Sequence, residues 1–283
     1  MSIPSAGWML QHIPIKSYFA AEDEACSLRV VGGVDDTLFG YPIESILGKK
    51  HILSNEFLGA EDREVARAHR EAVWLKHSPV ISRLDIIDRD RGPIPCLLAS
   101  HGLYDGGERV GVSGVLIELG GVPELQVEKG VLARGTDAPN WNQRTSLPPD
   151  LDREWLVEVL PVAFVVSVND PNYTIRHLSG SMERIVGHSS QQILSGKPKS
   201  WSLIDPTQLD LADEKLERAI QAKQNVILRL TLAHRLGIAV PILAIVAPYM
   251  PAGHKNGFFV SAVLDITGAK ALHGKTQTFV LQL

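Results

Sequence analysis

The sequence predicts an α+β protein of two similar domains, each a five-stranded antiparallel sheet with short helices on one face. The first observation is an internal repeat, in which Pro14 returns as Pro161, and the same offset of 147 residues joins Gly40 to Gly187. A repeat of this length indicates duplication of a whole domain, because solenoid repeats are only about 20–50 residues long. The second observation is that both copies follow one order: two strands, short helices, a longer helix and three strands.

Each copy opens with a hairpin. In the second copy an apolar run over 162–168 leads into the turn residues 169–172 and a returning strand over 173–178. Asn, Asp and Pro in this turn favour chain reversal between the two strands. The matching segments of the first copy are 16–21, 22–24 and 26–31.

Helices follow the hairpin. Short helices are predicted over 34–39 and 181–186, each followed by a glycine that suits the left-handed turn after a helix. The longer helix of the second copy begins with Asp205 as N-cap and Pro206 in the first turn. Its apolar residues recur at helical spacing, and they are Leu209, Ala212, Leu216, Ala219 and Ile220. The weaker counterpart in the first copy has Val65, Ala68, Ala72 and Val73.

Three strands close each copy. They are predicted over 80–87, 94–103 and 110–119, and over 226–233, 240–247 and 258–266. One extra residue in the second copy near residue 92 aligns Pro93 with Pro241 and Ser113 with Ser261. We therefore expect four segments: domain A over 1–120, a linker over 121–150, domain B over 151–275 and a tail over 276–283. Within the linker, 124–132 is a candidate helix.

Composition narrows the class of protein. The net charge of −4 gives no basic surface of the kind that binds nucleic acid. Cys26 and Cys96 are the only cysteines, so there is no disulfide framework and a reducing, cytoplasmic setting is expected. No signal peptide and no apolar run long enough to span a membrane are visible in the sequence.

Several motifs resemble those of the PAS domain family. Residues 160–164 resemble its opening strand, and 36–41 and 182–188 resemble its helix-glycine-aromatic segment. Asp265-Ile266-Thr267 is similar to the motif that ends the last strand of the family, where the first copy has Ile117-Glu118-Leu119 instead. The resemblance covers most of the chain.

The resemblance implies sensing or protein interaction. A PAS domain holds a ligand between its helices and the inner face of its sheet, or holds none and dimerises. The signal leaves through flanking helices, so Asp265, Ile266 and Thr267 are the expected signal exit. We accordingly expect a homodimer and a protein output partner.

The resemblance also suggests flavin or haem as a cofactor. His51 stands where light-sensing flavin relatives need a cysteine, so a cysteinyl photoadduct is not expected. The segment 48–55, with His51 and Asn55, is partly similar to that of redox flavin relatives. His69 on the first-copy helix is the candidate haem ligand. The alternative is that apolar residues here are core and His69 is a surface or hydrogen-bonded residue.

Four further residues are candidates for lining a ligand pocket. Arg83 shares a strand face with Asp85, and Arg229 shares one with Thr231, by the period of two. A pocket arginine would bind a carboxylate through two hydrogen bonds. The alternative is a solvated outer sheet face or a dimer contact. Trp74 and Trp201 line pockets or belong to the core, and the sequence leaves both open.

No motif for an enzyme is present, because a Gly-x-Ser-x-Gly turn, a phosphate loop and a dinucleotide fingerprint are all missing from the sequence. With 16 residues after Thr267, we expect the output to act in trans or to lie in a larger kinase, cyclase or transcription regulator. The sequence thus predicts a tandem sensory module that relays ligand binding through flanking helices. The alternatives are a ligand-free dimerisation scaffold and a flavin or haem redox or gas sensor.

Overall fold

The computed structural model describes residues 5–23, 26–33, 36–50, 52–75, 79–120, 122, 125, 127–134, 151–179, 181–251, 256–273 and 277–280. Helices and antiparallel sheets alternate along the chain, which confirms the mixed α/β architecture. Two sheets of six strands form, one from each copy of the repeat, together with a two-stranded ribbon. None of the helices described is both long and apolar enough to cross a membrane.

The first-copy sheet has the strand order β2-β1-β7-β6-β5-β8, with every neighbouring pair antiparallel. Its strands are β1 (Ile15–Ala21), β2 (Leu28–Gly32), β5 (Val80–Asp88), β6 (Gly92–Asp105), β7 (Glu108–Glu118) and β8 (Gly130–Arg134). The ribbon is β3 (Thr37–Leu38) with β4 (Tyr41–Pro42), so the short helix predicted over 34–39 is wrong. The helices are α1 (Ala6–His12), α2 (Ile43–Ile46) and α3 (Ala60–Val73).

The second-copy sheet repeats this order as β10-β9-β13-β12-β11-β14. Its strands are β9 (Ala163–Val168), β10 (Ile175–Leu178), β11 (Val226–Ala233), β12 (Ala239–Tyr249), β13 (Phe258–Asp265) and β14 (Gln277–Val280). The helices are α4 (Arg153–Val159), α5 (Ser181–Val186), α6 (Ser190–Leu194) and α7 (Leu209–Ala222), with 3-10 turns at Ser200–Leu203, Pro206–Gln208 and Lys270–Leu272.

The sixth strand of each sheet departs from the prediction. β8 lies in the expected linker, where 124–132 was predicted to be helical, and β14 lies in the expected tail. Both pair with the strand that would otherwise end the sheet, β5 and β11 respectively. An unpaired edge strand exposes a row of backbone N–H and C=O groups, so a further strand satisfies them.

The two copies correspond more closely than the sequence alignment indicates. Leu119 N–H donates to Pro95 O at 2.7 Å, and Ile266 N–H donates to Pro241 O at 3.0 Å. The last strand therefore keeps the offset of 147, so Glu118 stands where the second copy has Asp265, whereas the two strands before it are offset by 146. The extra residue placed near residue 92 was wrong for this strand. Ser113, opposite Phe19, corresponds to Val260, opposite Val166.

The chain forms two compact units whose bounds differ from the predicted domains. Unit A is Ile15–Pro161 with Gly268–Leu272, and unit B is Met1–Pro14 with Val162–Thr267 and His273–Leu283. Helix α1 therefore belongs to the unit of the second copy, and α4 belongs to the unit of the first. The predicted boundaries at 120, 150 and 275 do not coincide with these divisions.

Each of these two helices packs within its unit through aromatic side chains. In unit B, Trp8 of α1 stacks on His12, with ring centroids 4.1 Å apart, and meets Tyr249 edge-on at 5.0 Å. In unit A, Trp155 of α4 meets Phe19 edge-on at 5.0 Å. Such edge-to-face contacts are favoured by the charge distribution of aromatic rings.

Candidate ligand cavities

Unit B contains an apolar cavity of about 140 Å³ between α7 and the inner face of its sheet. The strands build one wall because alternate residues of a strand face the same side. The lining is mostly aliphatic: Val165, Ser167, Tyr173, Ile175, Met182, Ser200, Trp201, Leu203, Ile204, Leu209, Ala212, Asp213, Leu216, Leu228, Leu230, Leu232, Ile242, Ala244, Val246, Phe259, Ser261 and Val263. Helix α7 contributes Leu209, Ala212 and Leu216 of the apolar stripe that the helical spacing predicted.

A tyrosine and an aspartate form the polar edge of this cavity. The Tyr173 hydroxyl donates to Oδ1 of Asp213 on α7. The Tyr173 backbone lies in the left-handed region with φ 45°, and Asp170 O accepts its N–H at 2.9 Å. Burial first, and then the adjacent Asp213 carboxylate, raise the pKa of Tyr173 above its ordinary value. This tyrosine therefore remains a hydrogen-bond donor at neutral pH.

Trp201 lies on the lining of the unit B cavity, as the pocket interpretation expected. It is 38% exposed, so it reaches the protein surface. The Lys199 Nζ lies 5.9 Å from the centre of its ring. The cavity thus has an aromatic wall that also faces solvent.

Unit A contains a different cavity, of about 230 Å³ and with a more polar lining. It is lined by Tyr18, Ala20, Ala21, Glu22, Cys26, Leu53, His69, Arg70, Glu71, Val73, Trp74 and Val112. Trp74, which the sequence left open between pocket and core, lies on this lining. Arg70 and Glu71 are exposed and mark the outer rim, whereas Tyr18 and His69 are buried at the inner end.

His69 is part of a buried chain of polar side chains. Its Nδ1 lies 2.7 Å from Ser82 Oγ and its Nε2 lies 2.9 Å from Ser100 Oγ. Ser100 Oγ in turn lies 2.8 Å from the Tyr18 hydroxyl. An imidazole whose two nitrogens are both hydrogen-bonded has no free lone pair for iron. His69 is therefore placed as a hydrogen-bonded core residue, and the haem interpretation is not supported here.

The predicted pocket arginines do not line either cavity. Arg83 and Arg229 occupy equivalent positions, opposite Leu97 and Leu243 on the neighbouring strands. Their neighbours Leu84 and Leu228 belong to the cores, so both arginines lie on the other face of the sheet. Arg83 donates to Asp85 at 2.6 Å. The structure therefore gives the carboxylate-pocket interpretation no support. Both arginines are also buried, at 6% and 8% exposed, which does not fit a solvated outer face either.

Of the flavin-like segment 48–55, the apolar Leu53 lies on the unit A lining, but neither predicted polar residue is placed there. Asn55 is exposed and lies on neither cavity lining, and His51 lies outside the described residues. Among the described residues, no group of three or more His, Cys, Asp and Glu side chains is arranged to hold a metal ion.

The predicted signal exit forms a capped turn. Asp265 Oδ1 accepts a hydrogen bond from Thr267 N–H at 2.8 Å, and Ile266 between them is fully buried. In the first copy, Glu118 is bound instead by Lys16 and by Arg91, whose Nη1 lies 3.0 Å away. Burial tends to raise the pKa of Glu118, but the hydrogen bonds from Arg91 and Lys16 outweigh it and lower the pKa.

Sequence reasoning missed Tyr173, Asp213 and Ser100. A signal for Asp213 was present, because this residue lies four positions after Leu209 and three before Leu216 of the apolar stripe. Tyr173 was predicted to begin the returning strand, and its position over the cavity depends on a left-handed backbone that no sequence pattern indicated. Ser100 lay in an apolar strand with nothing to mark its partner His69.

Comparison with known proteins gives structural neighbours only. No protein-family model matches this sequence, and no curated protein matches it. The chain is similar to the solved structure of an RNA-binding Light-Oxygen-Voltage receptor, at 14% identity and a TM-score of 0.35, over 91% of this chain and 97% of that one. The PAS domain of a protein from Colwellia psychrerythraea has 16% identity and a TM-score of 0.36, and the match covers 41% of this chain and 94% of that one. The LOV domain of a blue-light activated histidine kinase from Erythrobacter litoralis has 18% identity and a TM-score of 0.31. That match covers 38% of this chain and 97% of the other.

Proposed function

We propose that this chain is a sensory module of two PAS-like domains in which unit B binds a small apolar molecule. The observation that carries the proposal is the cavity of about 140 Å³ under α7, with its mostly aliphatic lining. An engineered cavity of about 150 Å³ lined by apolar side chains binds benzene. The unit B cavity is thus suited to a ligand with a body the size of one aromatic ring.

Strand β13 connects this cavity to the expected signal exit. Phe259, Ser261 and Val263 of β13 line the cavity, and the same strand ends at the capped turn of Asp265. A ligand that presses on β13 therefore acts on the strand that leads to the exit. We propose that the flanking segments pass this change to a second copy of the chain or to a protein partner.

Titration of the full chain with toluene tests the proposal. We expect toluene to raise the midpoint of thermal unfolding and to shift methyl NMR signals of Leu228 and Val263, because both residues line the cavity. Ala244→Phe fills the cavity from β12 and should abolish both effects. Ala239→Phe is the matched control, because Ala239 is exposed on the same strand.

Two results would contradict the proposal. One is the absence of any toluene effect on the wild-type chain, which would favour a ligand-free scaffold. The other is toluene binding that Ala244→Phe leaves unchanged, which would place the ligand elsewhere. Should Ala244→Phe fail to fold, Ala212→Leu narrows the same cavity from the side of α7.

A further inference from the structure

The unit B cavity also carries a charge pattern that selects among ligands. We propose that it prefers small aromatic amines and alcohols to carboxylates, with Asp213 accepting the hydrogen bond of the ligand. This inference rests on the proposed function, because it concerns the same cavity. It adds the chemical class of the polar end of the ligand.

Asp213 has the only formally charged side chain among the described residues that line the cavity. A carboxylate is an acceptor only, with about four lone-pair positions on its two oxygens. The Tyr173 hydroxyl occupies one of these positions, on Oδ1. Further acceptor positions therefore remain for a donor on the ligand.

Tyr173 places this carboxylate at the cavity. The ring of Tyr173 packs against Phe259 with centroids 5.9 Å apart, and Phe259 lies on the same lining. An aromatic ligand that rests in the apolar part can thus direct a substituent along Tyr173 towards Asp213. An ammonium or hydroxyl group there would form a charge-assisted hydrogen bond. A carboxylate there would meet a like charge.

The neighbouring charges agree with this preference. Glu217, one turn further along α7, adds negative potential at Tyr173. The cations of the same helix are engaged by another acid, since Arg218 lies 2.8 Å and Lys215 lies 3.5 Å from Glu214. Lys199 lies over the Trp201 ring and is not part of the lining.

Four probes with one phenyl ring separate the effect of ligand shape on affinity from that of ligand charge. They are toluene, benzyl alcohol, benzylamine and benzoate. Their affinities for the full chain are measured by ligand-observed NMR or calorimetry. We expect benzylamine to bind about tenfold more tightly than benzoate, which corresponds to about 1.4 kcal/mol. Asp213→Asn should reduce this ratio to about one to twofold while toluene affinity stays unchanged, because the amide carries no charge.

Two further variants make the result decisive. Asp210 and Asp213 are both exposed carboxylates of α7, but Asp210 does not line the cavity. Asp210→Asn should therefore leave the ratio at its wild-type value. Asp213→Ser also removes the charge and should likewise reduce the ratio to about one to twofold. It tests the inference if Asp213→Asn does not fold.

The outcomes distinguish this inference from the proposed function. If toluene binds but benzylamine and benzoate bind equally, the cavity is a ligand site without the proposed selectivity. Loss of the preference in Asp210→Asn, or its persistence in Asp213→Asn, overturns the role of Asp213. If none of the four probes binds, the proposed function itself fails.

Discussion

At the scale of single residues, close packing in unit A depends on a glycine beneath a buried tyrosine. A Cβ on Gly114 would lie 2.7 Å from the Tyr18 hydroxyl oxygen and 2.8 Å from Ser100 Oγ. Tyr18 lies across the strand at this point to reach Ser100, and Ser100 reaches His69. The missing side chain at 114 is thus what permits the buried polar chain.

Gly114→Ala should therefore destabilise the protein. We expect a loss of about 1–3 kcal/mol in the free energy of unfolding, measured in urea, because an added methyl group in a packed core forces its neighbours to move. Gly120→Ala is the control, since a Cβ there would meet no atom within 4 Å. Equal stability of the two variants would show that Tyr18 has room to shift.

The sequence predicted correctly which strand residues share a face, but it did not predict which face of the sheet that is. The period of two correctly placed Arg83 and Asp85 on one face of a strand. It did not say which face, because β5 is buried along most of its length and apolar residues occur on both sides. Trp74 and Trp201 were ambiguous for a similar reason, since a large aromatic side chain suits a core and a cavity wall equally.

At the scale of elements, the edge strand β8 is held by a lysine just before it. Lys129 Nζ lies 3.0 Å from an Asp62 oxygen at the start of α3 and 2.9 Å from an Asp85 oxygen on β5. Burial tends to raise the pKa of Asp85, but the hydrogen bonds from Lys129 and Arg83 outweigh it and lower the pKa. The ion pair therefore stabilises the charged form of Asp85.

Lys129→Ala should loosen β8. We expect faster amide hydrogen exchange over 130–134 and a loss of about 0.5–1 kcal/mol in the free energy of unfolding at neutral pH. The cost should shrink in acid, because a carboxylate with a lowered pKa loses its stabilising charge as the pH falls through that pKa. The exposed Lys49 supplies the control substitution. Unchanged exchange over 130–134 would mean that backbone pairing alone holds the strand.

The sequence predicted elements best where their pattern is local. Helix α7 and the opening hairpins follow from residues a few positions apart, and the structure contains them. Strand β8 forms only by pairing with β5, about 50 residues earlier in the chain. The run over 124–132 had no strand pattern of its own, so helix was an equally acceptable interpretation until the partner strand was known.

At the scale of the whole molecule, the unit bounds predict which fragments fold. A fragment of residues 15–161 keeps α4 and β8 with the first-copy sheet, whereas residues 1–120 lack both. We expect the 15–161 fragment to unfold at a higher temperature, because it retains the contact of Trp155 with Phe19 and the pairing of β8 with β5. Circular dichroism melting curves measure the difference.

A variant of the longer fragment isolates the contribution of α4. Trp155→Ala removes the aromatic contact and should lower the melting temperature of the 15–161 fragment by several degrees, since about 1 kcal/mol shifts a domain of this size by about 3–5 °C. If residues 1–120 melt as high as 15–161, then α4 and β8 add nothing to the first-copy sheet.

The repeat predicted the number of sheets, and it did not predict which unit each leading helix joins. Helices α1 and α4 stand at equivalent positions in the two copies, and each belongs to the unit of the other copy. The sequence held no signal for this exchange, because an amphipathic helix fits either sheet by its pattern alone. The unit to which each of these helices belongs depends on long-range contacts such as that of Trp8 with Tyr249.

This exchange has a consequence for synthesis on the ribosome. Helix α1 leaves the exit tunnel before any of the strands, yet its aromatic partner Tyr249 is added 237 residues after His12. At about 5–20 residues per second, that interval lasts roughly 12–50 s. The first-copy sheet can therefore assemble while α1, which precedes it in the chain, is still without its partner.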